Sequence, residues 1–328
     1  MTDNKSIPTN QKDTKHIPAV AVVLACGNTS RFPEFANVKC KALLPFKGRP
    51  IVDYVSRALC NSQVEKVFVV HPQDVDPQKA ISPHEKIVFV KSPKSQPTIV
   101  DSVMGGLENL FEFYGGKDIH PRRIFLVSCD IPLVTSRDFD ALLNQAAGSD
   151  ADFYSFVIRT SLLKKDYPER RFRIVHLNEL GDNFSLQSIV LVHSRLFRTS
   201  QQKDSAYKME ICDSRGRSLN SLIKMGQDIR KHRHSVSGWV RLAYRIAGQC
   251  GLLLFWQNVF DFLRNSVTES KLLQAIYLTL HLRARIIESH STTFSADVDN
   301  PLDLENVSQK AIPGTDNLGT VLTHEKSV

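Results

Sequence analysis

Along the first half of the chain, short apolar runs alternate with longer stretches in which apolar positions recur every three or four residues. The runs are Ala19–Ala25, Lys66–His71, Lys86–Val90, Arg123–Cys129 and Asp152–Ile158, all rich in Val, Ile and Phe. Runs of this kind mark strands buried on both faces. Between them, Ile51–Cys60, Thr98–Phe113 and Ser136–Ala147 keep helical spacing. Strand and helix in alternation predict an α/β fold: an open, mainly parallel (mixed) sheet with helices on both faces. Ligands of such sheets sit beyond the carboxyl ends of the strands.

The second half reads differently. Phe172–Leu177 and Ser188–Val192 are predicted strands. Apolar residues then fall at helical spacing in Ser218–Ile229, Trp239–Ile246, Trp256–Leu263 and Glu269–Leu282. Residues 217–283 are therefore expected to form a helical insertion or subdomain, after which Arg285–Glu288 returns as a strand. The polar ends, 1–17 and 306–328, are expected to be disordered tails around one domain of residues 18–305.

Composition narrows the picture only a little. The chain has 328 residues, 42% of them hydrophobic, which is enough for a real core. Its formal charge of +8 suits anionic partners such as nucleotides, phosphorylated substrates or nucleic acid. The basic residues lie in small clusters, Lys164-Lys165, Arg170-Arg171 with Arg173, and Arg230 to Arg233. These read as solvated helix faces and speak against nucleic acid as the partner. Six cysteines stand far apart without CxxC spacing, which argues against a zinc or redox site and for a reducing compartment. The first residues lack an apolar signal core, and Gly251–Trp256 is too short to span a bilayer. A cytoplasmic protein with no membrane contact is expected.

The candidate chemistry starts where the first strand stops. Leu24-Ala25-Cys26-Gly27 runs into Asn28-Thr29-Ser30 and then Arg31, and Lys41 follows ten residues later. Small residues let backbone N–H groups approach phosphate oxygens, and Arg31 and Lys41 supply compensating charge. Lys39 stands close enough to compete with Lys41 for that role. Asp130 closes the fourth apolar run, ahead of Ile131-Pro132-Leu133. A carboxylate there is costly unless paired or bound to a metal, and Mg²⁺ takes one or two carboxylates plus phosphate oxygens. Thr135 and Ser136 are the better helix cap. Near the other end, Asp297 and Asp299 fall on one side of an extended segment, and either one can complete a metal site with Asp130. Asn300-Pro301 reads as an N-cap followed by a first-turn proline. Thr98 and Ser102 are candidates for hydrogen bonds to a nucleobase or ribose, with capping by Thr98 as the simpler alternative. The dinucleotide and P-loop glycine fingerprints are both absent.

Taken together, these strings resemble a known family. Leu24-Ala-Cys-Gly-Asn-Thr-Ser-Arg-Phe32 is similar to the signature loop of nucleotidyltransferases with a GT-A-like (nucleotide-diphospho-sugar-transferase-like) fold, and most closely to the MobA-like NTP transferases. Lys41-Ala-Leu-Leu-Pro45 with Gly48-Arg49-Pro50, Ser128-Cys-Asp130-Ile-Pro132-Leu, and Asp297-Val-Asp299-Asn-Pro-Leu-Asp-Leu304 match the family's later motifs in order. Cys26 replaces the usual Gly or Ala, and Pro33–Cys40 lengthens the stretch before the lysine. The Ala-Leu-Leu-Pro that follows Lys41 favours it over Lys39.

The resemblance implies NMP transfer from an NTP to a phosphorylated small-molecule acceptor. Pyrophosphate would leave, with Mg²⁺ on Asp130 and with Asp297 or Asp299. Residues 24–30 would hold the nucleotide, and Arg31 and Lys41 would neutralise the reacting phosphates. Two other readings remain: a nucleotide-sugar-dependent glycosyltransferase of related fold, and a nucleotide-binding regulator that has lost turnover.

Overall fold

A computed structural model describes residues 17–95, 97, 99–116, 122–170, 172, 174–177, 182–197 and 283–311. The expected insertion 217–283 lies outside the described residues except for Arg283, as does Thr98.

The main sheet has the order β10-β7-β9-β6-β1-β4-β5, with β8 hydrogen-bonded to β9 off this path. The strands are β1 (Ala19–Leu24), β4 (Val67–His71), β5 (Ile87–Lys91), β6 (Arg123–Ser128), β7 (Phe153–Arg159), β8 (Ile174–Leu177), β9 (Asp182–His193) and β10 (Ala284–Glu288). β2 (Pro45–Phe46) and β3 (Arg49–Pro50) form a separate hairpin. Its turn is Lys47-Gly48, both at positive φ (46° and 83°). β1 pairs in parallel with β4 and β6, β4 with β5, and β7 with β10; β9 runs antiparallel to β6, β7 and β8. The sheet is therefore mixed and mainly parallel.

Helices cover both faces because β1 alternates. Ala19, Ala21 and Val23 pack in the cluster holding α1 (Ile51–Cys60) and α3 (Ser136–Ala146). Val20 and Val22 face α2 (Ile99–Phe113). Gly106 brings α2 close to the sheet, since a Cβ there would lie 2.5 Å from Val22 and 2.9 Å from Val70.

The predicted strands of the first half fall within a residue or two of those observed. Two elements exceed the expectation. α4 (Thr160–Asp166) follows β7 directly, with Lys164 and Lys165 solvated in its last turn. β9 starts at Asp182, six residues before its predicted start at Ser188. Its first half is polar in composition but buries Phe184, Ser185 and Gln187 between β7 and β8, so no apolar run announces it.

The tail expected from residue 306 begins too early. α5 (Pro301–Lys310) continues to Lys310. Val307 is buried in a cluster with Tyr167 and Val298, and the Lys310 ammonium lies 3.9 Å from the Tyr167 ring centroid.

The chain leaves the sheet after β9 and returns at β10 close to the same place. Arg195 and Arg283 both bond the carboxylates of Asp150 and Asp152, and so tie the two ends of the undescribed stretch together.

Candidate active site

Strand order sets the site's position. From β1 the chain steps to β4 and β5 on one side, then crosses to β6 on the other. A crevice opens at the carboxyl ends where the direction of winding reverses. β1 and β6 are in register there, Leu24 beside Ser128, so the loop after β1 and the loop bearing Asp130 emerge side by side.

The loop after β1 braces itself with its own polar side chains. The Asn28 carboxamide oxygen accepts from the Ser30 amide (3.2 Å) and hydroxyl (2.6 Å). The Thr29 hydroxyl donates to the Val38 carbonyl at 2.9 Å, which holds the lengthened segment against the loop. Gly27, Asn28, Ser30 and Arg31 are exposed. Ala25 donates its amide to Val70 (2.8 Å), and the Gly27 carbonyl accepts the amide of Lys41 (2.7 Å). Side chains thus shape the loop and leave backbone for a ligand, as the cradle expectation requires.

Cys26 is half-buried, and its thiol meets the Val70 carbonyl (3.5 Å). Burial pushes the thiol up from its ordinary pKa, against hydrogen bonds with Ser102 and Ser92. Ser102 departs from its expected role. It is 2% exposed on α2, and its hydroxyl engages Cys26 instead of facing a ligand.

Lys41 is the centre of the site. Its ammonium bonds the Asp130 carboxylate and lies 2.8 Å from Asp299 Oδ1. Its side chain is 12% exposed. Burial would depress its pKa, but the two carboxylates outweigh that and raise it. Lys39 turns away and donates to the Asp74 carbonyl at 3.1 Å, so of these two lysines it is Lys41 that meets Asp130 and Asp299. Asp130 also accepts from the Ser128 hydroxyl, a partner the sequence reading did not assign. Thr135 caps α3 in a capping box with Asp138, which leaves Asp130 out of the capping role as expected.

The closing motif reaches the site through one buried residue. Val298 is fully buried beside Phe32, Leu44, Phe46 and Ile51, and its amide donates to the Asp130 carbonyl at 2.9 Å. With Val298 turned inward, the flanking aspartates meet different cations. Asp299 takes Lys41, while Asp297 takes Arg170 through Nη2, at 2.6 Å to its carboxylate and 2.5 Å to its carbonyl. Asn300 caps α5 by accepting from the Asp303 amide at 3.0 Å.

The acids are unequally charged. Burial, followed by the negative charge of Asp130, pushes Asp297 up to about 7 despite Arg170. Burial works the same way on Asp299, but Lys41, with Arg31 and Arg170, outweighs it and holds that carboxyl below its usual range. Arg31 is thus within electrostatic reach of Asp299. Arg170 corrects the reading of its cluster as a solvated face: its side chain is 14% exposed and ion-paired.

Among the described residues, no three His, Cys, Asp or Glu side chains gather as a metal cage. The donors do suit Mg²⁺, which needs only one or two carboxylates when phosphates supply the rest. Asp130 and Asp299 both meet Lys41, so two carboxylates already converge on one cation at this point. Among the described residues, no helix is long and apolar enough to cross a membrane.

The family model for the MobA-like NTP transferase domain matches residues 21–204, over half of the chain. A hypothetical transferase from Thermus thermophilus superposes with a TM-score of 0.56 at 17% identity, over 87% of this chain and 99% of that one. A CMP:2-keto-3-deoxy-manno-octonic acid synthetase complexed with CTP gives 0.47 at 14% identity, over 89% and 97%. A nucleotidyl transferase from Methanothermobacter gives 0.46 at 14% identity, over 89% and 96%. No curated protein matches the chain.

Proposed function

The chain belongs to the MobA-like NTP transferase family, which makes it a nucleotidyltransferase, and on that premise we propose that it moves an NMP from an NTP to a phosphorylated small-molecule acceptor. The observation that carries the reading is Lys41, whose ammonium meets both Asp130, 89 positions away in sequence, and Asp299, 258 positions away, at the mouth of the β1 loop. A cation fixed there stabilises negative charge as it builds at the α-phosphorus and on the departing pyrophosphate.

Backbone amides of the loop around Gly27 hold the triphosphate, and Arg31 lies exposed beside them to neutralise it. Asp130, with Asp297 or Asp299, would hold Mg²⁺, which supplies charge neutralisation and orientation of the phosphate oxygens. An acceptor that attacks through an ionised phosphate needs no general base, so the chain's residues serve to position and to neutralise.

The test is pyrophosphate release with the four NTPs and Mg²⁺, against a panel of sugar phosphates, alcohol phosphates and molybdopterin-type acceptors. Asp130→Asn should abolish release while circular dichroism shows a folded protein. Undiminished release by that variant would sink the site assignment. Release of a nucleoside diphosphate from a nucleotide-sugar donor, with no pyrophosphate from the NTPs, would establish the glycosyltransferase reading instead. NTP binding without turnover across the panel would establish the regulator.

A further inference from the structure

We propose that Arg170 is a positioning residue for the cation site, holding the Asp297–Asp303 segment in its ligating form; the inference rests on the metal-assisted reading given above. Arg170 follows α4 and reaches under the closing motif. One of its nitrogens, Nη2, donates to both the carbonyl and the carboxylate of Asp297. Two bonds from one nitrogen to one residue fix that residue's backbone and side-chain torsions together. Nε faces Asp303 Oδ1 at 3.7 Å. Asp303 Oδ2 in turn accepts from the Asp299 amide (3.1 Å) and the Asn300 carboxamide (2.7 Å). A single guanidinium therefore underlies both aspartates of the motif, Asp297 directly and Asp299 through Asp303.

A guanidinium beside a metal site also repels the metal. Here Asp303 balances that charge, so the Arg170–Asp303 pair is close to neutral and its orienting effect dominates. The guanidinium rests 5.8 Å from the Phe172 ring centroid, and among the described residues its buried Nη1 has no hydrogen-bond partner. Leaving that donor unsatisfied costs free energy, yet the geometry at Asp297 is kept. Lysine cannot reproduce the arrangement, because an ammonium lacks the planar fork.

Such supports of ligating carboxylates typically contribute about 10- to 100-fold in metal affinity. The test is Mn²⁺ binding to the full-length protein in the presence of an NTP, read from the water-proton relaxation of the protein-bound Mn²⁺ against that of the Mn²⁺–NTP complex alone. Arg170→Ala should weaken binding by that factor, Arg170→Lys by less, and the KM for NTP at saturating metal should stay unchanged in both. Thermal unfolding checks the fold, and if Arg170→Ala does not fold, Arg170→Lys decides. Wild-type Mn²⁺ affinity in folded Arg170→Lys, alongside lost affinity in Asp130→Asn, would overturn the role of Arg170 and leave the metal reading intact. Failure of the wild type to bind Mn²⁺, or full binding by Asp130→Asn, would overturn both.

Discussion

Replacing Lys41 by Met removes the ammonium and keeps most of the side-chain volume. Asp130 and Asp299 then lose their shared cation. Breaking a buried ion pair typically costs about 3–5 kcal/mol. The lower end applies here, because Asp130 keeps the Ser128 hydroxyl and the Asp299 side chain is 45% exposed. A loss of about 3 kcal/mol corresponds to roughly 6–12 °C in Tm for a domain of this size. The assay is urea and thermal unfolding of wild type and Lys41→Met from pH 3 to pH 8, without added metal. The sign of the pH effect follows from Asp299, whose folded pKa lies below its unfolded value. Its contribution is present above the ordinary carboxylate pKa of about 4 and is lost as pH falls through the lower folded value. The gap between the two proteins should therefore be wide above about pH 5 and close in acid. Equal midpoints at pH 7, or a gap that persists in acid, would refute the buried Lys41 cluster.

Asp297 should act in the opposite direction. Its carboxyl is raised to about 7, so it favours the fold in acid and that stability is lost as pH rises from about 4 towards 7; Asp297→Asn should flatten this part of a urea-midpoint profile. Gly106→Ala would drive a methyl group into Val22 and Val70 and should cost about 1–3 kcal/mol in thermal unfolding. Asp152→Ala, which strips a mostly buried carboxylate from Arg195 and Arg283, should destabilise by about 1–3 kcal/mol. Asp150→Ala should change thermal stability little, because that carboxylate is 71% exposed. Cys26, with its raised thiol pKa, should react with iodoacetamide at pH 7 more slowly than a free cysteine, as read by mass spectrometry.

Much of the architecture was legible because burial on two faces leaves a local mark. Strands β1, β4, β5 and β6 are nearly unbroken apolar runs, and α1 shows its inward face every three or four residues. The first half of β9 left no such mark, since it buries polar Ser185 and Gln187 beside Phe184. α4 was missed for a related reason: its seven residues are too few to display a period, and only Thr160 and Leu163 are buried.

The site divides along the same line. Sequence alone pointed to the β1 loop, the acid after β6 and the closing pair of aspartates as candidates, because turn chemistry and motif strings are local properties. It favoured Lys41 over Lys39 without showing what either one meets, and it offered Ser102 as a hydrogen-bonding partner for a nucleobase or ribose. Packing decided those points. Val298 and Phe32 share one apolar cluster, which brings the closing motif against the first loop. That contact places Asp299 within reach of Lys41, while Lys39 is held by the Asp74 carbonyl. Arg170 was beyond the sequence entirely, since an arginine in a basic cluster looks the same whether solvated or buried. Which cation meets which carboxylate depends on segments far apart in the chain, and only the folded core brings them together.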